Sequence, residues 1–201
     1  MNMHIKARFE HEEIIKKSRF IGIAQRIDSL EDVQEKLSSL RKEHTNANHI
    51  CYAYQLGDLL KSNDDHEPSG TAGIPILESL KYSQLEDCLI AVVRYFGGIK
   101  LGAGGLIRAY SSVSSATLEN AAKTKEIHYY HFSLEYPYTL SSRIETWLYR
   151  NQTNPIFNYG DHVYCEFDFP EEDISQEIQD LSKGQATLTL LKIKKKEVDI
   201  D

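Results

Sequence analysis

Two stretches of the sequence bring together residue types that bind or transform ligands. The first is Arg94-Tyr95-Phe96-Gly97-Gly98-Ile99-Lys100-Leu101-Gly102-Ala103-Gly104-Gly105-Leu106-Ile107-Arg108. It lies between an expected strand and an expected helix. Glycines there let the backbone approach a ligand, and the free amides of a helix N-terminus attract anions. Arg94, Lys100 and Arg108 add positive charge to a phosphate-sized site made of Gly97, Gly98, Gly102, Gly104 and Gly105. The alternative is architectural: the same glycines let the chain make a tight strand-to-helix crossing with positive backbone angles. Known nucleotide signatures fail. Gly97 to Gly102 has Walker spacing, but Ala103 follows where Lys and Ser or Thr are needed. Gly102-x-Gly104 meets Ile107 where a dinucleotide fold has its third glycine.

The second stretch is Asp64-Asp65-His66-Glu67-Pro68-Ser69-Gly70-Thr71-Ala72-Gly73. Asp64, Asp65 and Glu67 could hold a hard cation, but the spacing matches no calcium loop. The simpler expectation is an acidic loop that complements the next helix, with Ser69 or Thr71 as its N-cap. His49 and Cys51 fall on one side of a strand with no further ligand near them in sequence, and are expected to pack rather than bind metal. His128 and His131 point to opposite faces. Tyr129, Tyr130, Phe132, Tyr136 and Tyr138 offer either base-stacking rings or core, with core favoured by their alternation. Lys192, Lys194, Lys195 and Lys196 read as a solvated strand end. No Gly-x-Ser-x-Gly elbow is present. No catalytic residue, metal or cofactor is assigned.

The elements that position these stretches follow from hydrophobic periodicity. Strands are expected over 4–10, 18–27, 50–56 and 88–96, the last being the most hydrophobic run and the natural centre of a sheet. Helices are expected from Ser29 as N-cap to about His44, over 71–82, and over 104–123. Residues 57–70 read as a polar loop. Beyond Lys125 the order is strand, helix, strand, strand, helix, strand, which is the ferredoxin-like βαββαβ arrangement. The expected domains are therefore 1–124 and 125–201.

Composition narrows the function classes. The 201 residues are 41% apolar and 26% charged, an ordinary globular balance rather than a disordered one. The longest apolar run, Leu89 to Val93, is far short of the roughly 18 residues of a membrane-spanning helix. With three widely spaced cysteines and no apolar leader, the protein is expected to be cytosolic. The formal charge of −7 excludes a nonspecific polyanion binder. The charge is uneven: residues 1–124 carry 15 basic and 16 acidic groups, residues 125–201 carry 8 and 14.

The two motifs in this order, with Ala109 and Tyr110 continuing the glycine-rich one, resemble the Impact/YigZ family over nearly the whole chain. His66 stands where the family commonly has Gly, and Ile74 where it has Lys. The resemblance implies an α+β protein of two domains. The N-terminal domain has the left-handed βαβ fold shared by the second domain of a small-subunit ribosomal protein, domain IV of elongation factor G and the GHMP sugar kinases. The C-terminal domain resembles domain V of elongation factor G. Eukaryotic members are linked to translational control through the Gcn-one scaffold and the Gcn-two kinase. The expected function is therefore a non-enzymatic, translation-associated protein that binds ribosome, RNA or a translation factor through the glycine-rich turn. An enzyme acting on a small phosphorylated substrate and a pure protein-interaction module are the alternatives.

Overall fold

The computed structural model describes residues 3–200. It is an α+β protein with two antiparallel sheets and two compact units, one comprising the described residues up to Lys125 together with those from Val198 on, the other Glu126–Glu197. No helix among the described residues is long and apolar enough to cross a membrane.

The first unit is built on a sheet of β2 (Phe9–Ile15), β3 (Ser18–Arg26), β4 (His49–Leu56), β5 (Leu59–Asn63) and β6 (Cys88–Tyr95), in the order β2-β3-β6-β4-β5. β6 is central and buried along nearly its whole length, as its branched apolar run requires. Its alternate residues serve two cores. Leu89, Ala91 and Val93 face helix α1 (Leu30–Glu43) through Val33, Leu37 and Leu40. Cys88, Ile90 and Val92 face α2 (Gly73–Ser83) and α3 (Ala103–Asn120) through Ile76, Leu80, Leu106, Tyr110 and Val113. The Ser29 hydroxyl accepts from the Asp32 amide at 3.1 Å, so α1 starts at its expected cap.

Three expectations are corrected here. The first strand is two: β1 (Met3–Ile5) pairs with the start of β7 (Lys123–Tyr136), whereas β2 forms a hairpin with β3. The hairpin closes through Lys16 and Lys17 at φ 45° and 64°, a mirror-image turn made without glycine. The expected loop over 57–70 contains β5, which pairs with β4 around Gly57 at φ 53°. Its side chains are mostly exposed, so it carries no alternating apolar signal. Finally, α3 stops at Asn120 because the chain turns into β7.

In the second unit, the remainder of β7 is followed by a 3₁₀ turn (Tyr138–Leu140), α4 (Ser141–Arg150), β8 (Ile156–Tyr159), β9 (Val163–Phe169), α5 (Ser175–Ser182) and all but the last three residues of β10 (Thr187–Ile200). β9 lies between β7 and β8, and β10 also pairs with β7. Phe132, Leu134, Tyr136, Val163, Cys165, Phe167 and Phe169 form one face, covered by Ile144, Trp147 and Leu148 of α4 and Ile178 of α5. Phe132 and Tyr136 are thus core residues, while Lys194 and Lys195 pair with Asp168 and Glu126.

Candidate functional site

The acidic loop begins with Asp64, and its position explains how α2 starts. Asp64 Oδ1 accepts from the amides of Ala72 and Gly73 at 2.9 and 2.8 Å, and Oδ2 from that of Gly70 at 2.9 Å. This carboxylate takes the capping part expected of Ser69 or Thr71. The Thr71 hydroxyl instead donates to the Pro68 carbonyl, and Ser69 is exposed. Burial opposes ionisation of Asp64, but the Gly70, Gly73 and Ala72 amides together hold its carboxyl below the usual aspartate range.

A carboxyl with a depressed folded pKa supplies stability that is present above its unfolded value and lost as pH falls through the folded one. Asp64→Ala is accordingly expected to cost about 1–2 kcal/mol at neutral pH. That deficit should shrink in acid, below the ordinary aspartate value near 3.8. Urea unfolding at pH 7 and pH 3 checks this; a deficit that does not change between them contradicts the role.

Asp65 Oδ2 accepts from the Ile50 amide at 2.6 Å, and the Asp65 carbonyl accepts from His49 Nδ1 at 2.8 Å. These contacts tie the loop to β4. Asp65 and His66 both take left-handed φ values, 41° and 68°. His66 therefore makes the tight turn that glycine would make more readily. The three carboxylates diverge into separate tasks, and no group of three or more His, Cys, Asp or Glu side chains among the described residues is placed to share a metal ion.

Glu67 turns inward. Its Oε1 accepts from Arg94 Nη1 at 2.5 Å and from the Tyr110 hydroxyl at 2.8 Å, and lies 3.8 Å from His49 Nε2. Both ionic side chains are almost wholly buried, at 3% exposure for Glu67 and 6% for Arg94. Sheet register brings the group together, since Arg94 stands opposite His49 on β4 and Phe20 on β3. The Arg94 guanidinium lies over the rings of Phe20 and Phe96 at 5.3 and 5.5 Å, and its buried Nε has no hydrogen-bond partner among the described residues. Behind Glu67, Cys51 Sγ donates to the Asp64 carbonyl and the Tyr110 hydroxyl. Burial pushes the Cys51 thiol up to about 12, and burial together with Cys51 and Glu67 raises that of the Tyr110 phenol. Both stay protonated at neutral pH.

This network forms part of the wall of a cavity of about 440 Å³ lined by Asn48, His49, Glu67, Pro68, Arg94, Phe96, Lys100, Leu101, Gly102, Ala103 and Leu106. The acidic loop and the glycine-rich turn therefore meet. Gly102, at φ 72°, caps α3 and offers no side-chain acceptor to the first-turn amides of Ala103, Gly104 and Gly105. Lys100 lies at the same mouth without a carboxylate partner among the described residues. Arg108 is exposed and off the cavity wall, but its Nη1 lies 3.5 Å from where a Gly104 Cβ would stand, beside that first turn.

The glycines divide by role. A Cβ on Gly97 would stand 1.9 Å from the Lys17 carbonyl oxygen, so Gly97 serves a backbone crossing. Gly98 at φ 84° and Gly102 need left-handed backbone in open space. Gly104 and Gly105 have neither demand in full: a Cβ would meet only the Arg108 tip or, at 3.1 Å, Leu101. His49 and Tyr110 are not among the expected site residues. His49, expected only to pack, owes its nearness to Glu67 to its pairing opposite Arg94, which spacing along the chain does not reveal.

A central antiparallel sheet whose acidic loop and glycine-rich helix start enclose one cavity defines a domain that comparison with known proteins recognises. Residues 16–118 match the Impact N-terminal domain. The chain belongs to the IMPACT family. It is 39% identical over 193 residues to the IMPACT family member YvyE of Bacillus subtilis (strain 168), covering 92% of this chain and 88% of that protein. It is 34% identical over 197 residues to an IMPACT family member of Haemophilus influenzae, covering 94% and 96%. A crystal structure described as that of a hypothetical protein superimposes with a TM-score of 0.61 at 31% identity, covering 94% of this chain and 97% of the other.

Proposed function

We propose that the protein is a non-enzymatic, translation-associated binding protein that takes a phosphate group of RNA, on the ribosome or free, at the start of α3. The observation that supports this most directly is the coincidence, in one cavity, of a helix N-terminus without a side-chain cap and Lys100, a cation with no carboxylate partner among the described residues. Arg94 stiffens the wall from within, and Arg108 adds charge beside the first turn. The family's link to translational control, implied by the resemblance above, agrees with this reading. The same reading includes the left-handed βαβ arrangement for the first unit and the ferredoxin-like one for the second; the neighbour order β10-β7-β9-β8 supports the latter.

RNA binding is expected to weaken with salt, and Lys100→Ala is expected to lower affinity and reduce the slope of log K against log salt by about one. Equilibrium titration with labelled RNA at several salt concentrations measures both. A Lys100→Ala protein with wild-type affinity and slope contradicts the proposal.

One observation favours a second reading, an enzyme acting on a small phosphorylated substrate. His49 Nδ1 faces a carbonyl and so must carry a proton, which leaves the Nε2 of neutral His49 as a proton acceptor near buried Glu67. A phosphosugar or nucleotide consumed by the wild type but not by His49→Gln would establish it.

A further inference from the structure

We infer that the cavity accepts a single unpaired nucleotide, its phosphate at the first turn of α3 and its base against Phe96. This rests on the phosphate reading above and adds the class of ligand.

Phe96 is a large aromatic residue left 45% exposed at the cavity. Its ring carries the Arg94 guanidinium 5.5 Å from its centroid, and its backbone is pinned by a 2.7 Å hydrogen bond from its amide to Asn48 Oδ1. The ring is thus a fixed platform rather than a loose surface side chain. Leu101, Leu106 and Pro68 continue the apolar surface around it. At about 440 Å³ the space falls within the roughly 300–1,000 Å³ range of small-ligand sites.

The polar groups at its edge are of the kind that read a base. Asn48 Oδ1 is engaged by the Phe96 amide, so its Nδ2 remains to donate, and His49 Nε2 lies on the same wall. The charge on offer is small: Lys100 and the α3 amides. That suits one or two phosphates and not the tract of phosphates a duplex presents, in keeping with the near balance of charge over residues 1–124. A base stacked inside a duplex cannot reach a ring in a cavity, whereas an unpaired one can.

The test titrates the full-length protein with a short labelled single-stranded RNA. Its competitors are the matching duplex, an abasic strand of equal length, a nucleoside monophosphate and inorganic phosphate. The single strand is expected to bind at least about tenfold more tightly than the abasic strand, the gain typical of one aromatic stack. Phe96→Leu should abolish that difference and Phe96→Trp should keep it. A nucleoside monophosphate that competes as well as the strand supports the inference and identifies the free nucleotide as the occupant. An abasic strand or inorganic phosphate that competes equally overturns it, as does an unaltered Phe96→Leu protein. If binding stays sensitive to salt and Lys100→Ala but blind to the base, the nucleotide inference fails while the phosphate reading stands. If Lys100→Ala changes nothing, both fail.

Discussion

Glu67→Ala is expected to destabilise the first unit by about 3–5 kcal/mol, the largest effect of any single side chain at the site. The substitution strands the Arg94 guanidinium, 6% exposed between two aromatic rings, and removes the acceptor of the buried Tyr110 hydroxyl. Removing one partner of a buried pair leaves an uncompensated charge; removing both replaces it by apolar packing. Glu67→Leu combined with Arg94→Met should therefore be distinctly more stable than Glu67→Ala alone. Urea denaturation of the two variants against wild type decides the matter. A loss below about 1 kcal/mol, the scale of an exposed pair, would mean the ionic contact contributes no more than a surface salt bridge.

Gly97→Ala is expected to cost about 3 kcal/mol, the upper end of what overpacking usually imposes. The added Cβ would overlap the backbone of Lys17 and Ser18, with contacts of 1.9, 2.0 and 2.5 Å, and backbone cannot rotate away as a side-chain tip can. Gly104→Ala should be harmless to folding, because helix interiors favour alanine and only the flexible Arg108 end is near. The pair separates architecture from ligand access within one glycine run. Thermal melts of both proteins, read by circular dichroism, provide the measurement, and equal losses in the two would refute the division.

How much of this is legible in the sequence depends on where each signal lies. β6 and α1 are readable because a continuous branched run and a Ser29 cap are local features. β5 is not, since its mostly exposed residues carry no alternation. The capping of α2 by Asp64 escapes because the acceptor precedes its donors by six to nine residues, outside any local capping pattern. The glycine-rich turn and the acidic loop can each be singled out as chemical. Their convergence cannot, because it depends on Glu67 reaching Arg94 across 27 residues and on Arg94 standing opposite His49. The differing reasons for Gly97, Gly98 and Gly104 are likewise invisible, since Gly97 is set apart by the path of the Lys16–Lys17 hairpin turn and Gly98 by its own positive φ.

Arg94 belongs both to the interior of the first unit and to the wall of its cavity. Occupancy and folding are thus linked equilibria in this protein: whatever the cavity holds only when folded must shift the unfolding transition, by about 2.7 kcal/mol at a hundredfold excess over Kd. The same linkage runs in reverse, so a lesion that loosens the wall weakens retention of the occupant even where no contact to it is lost.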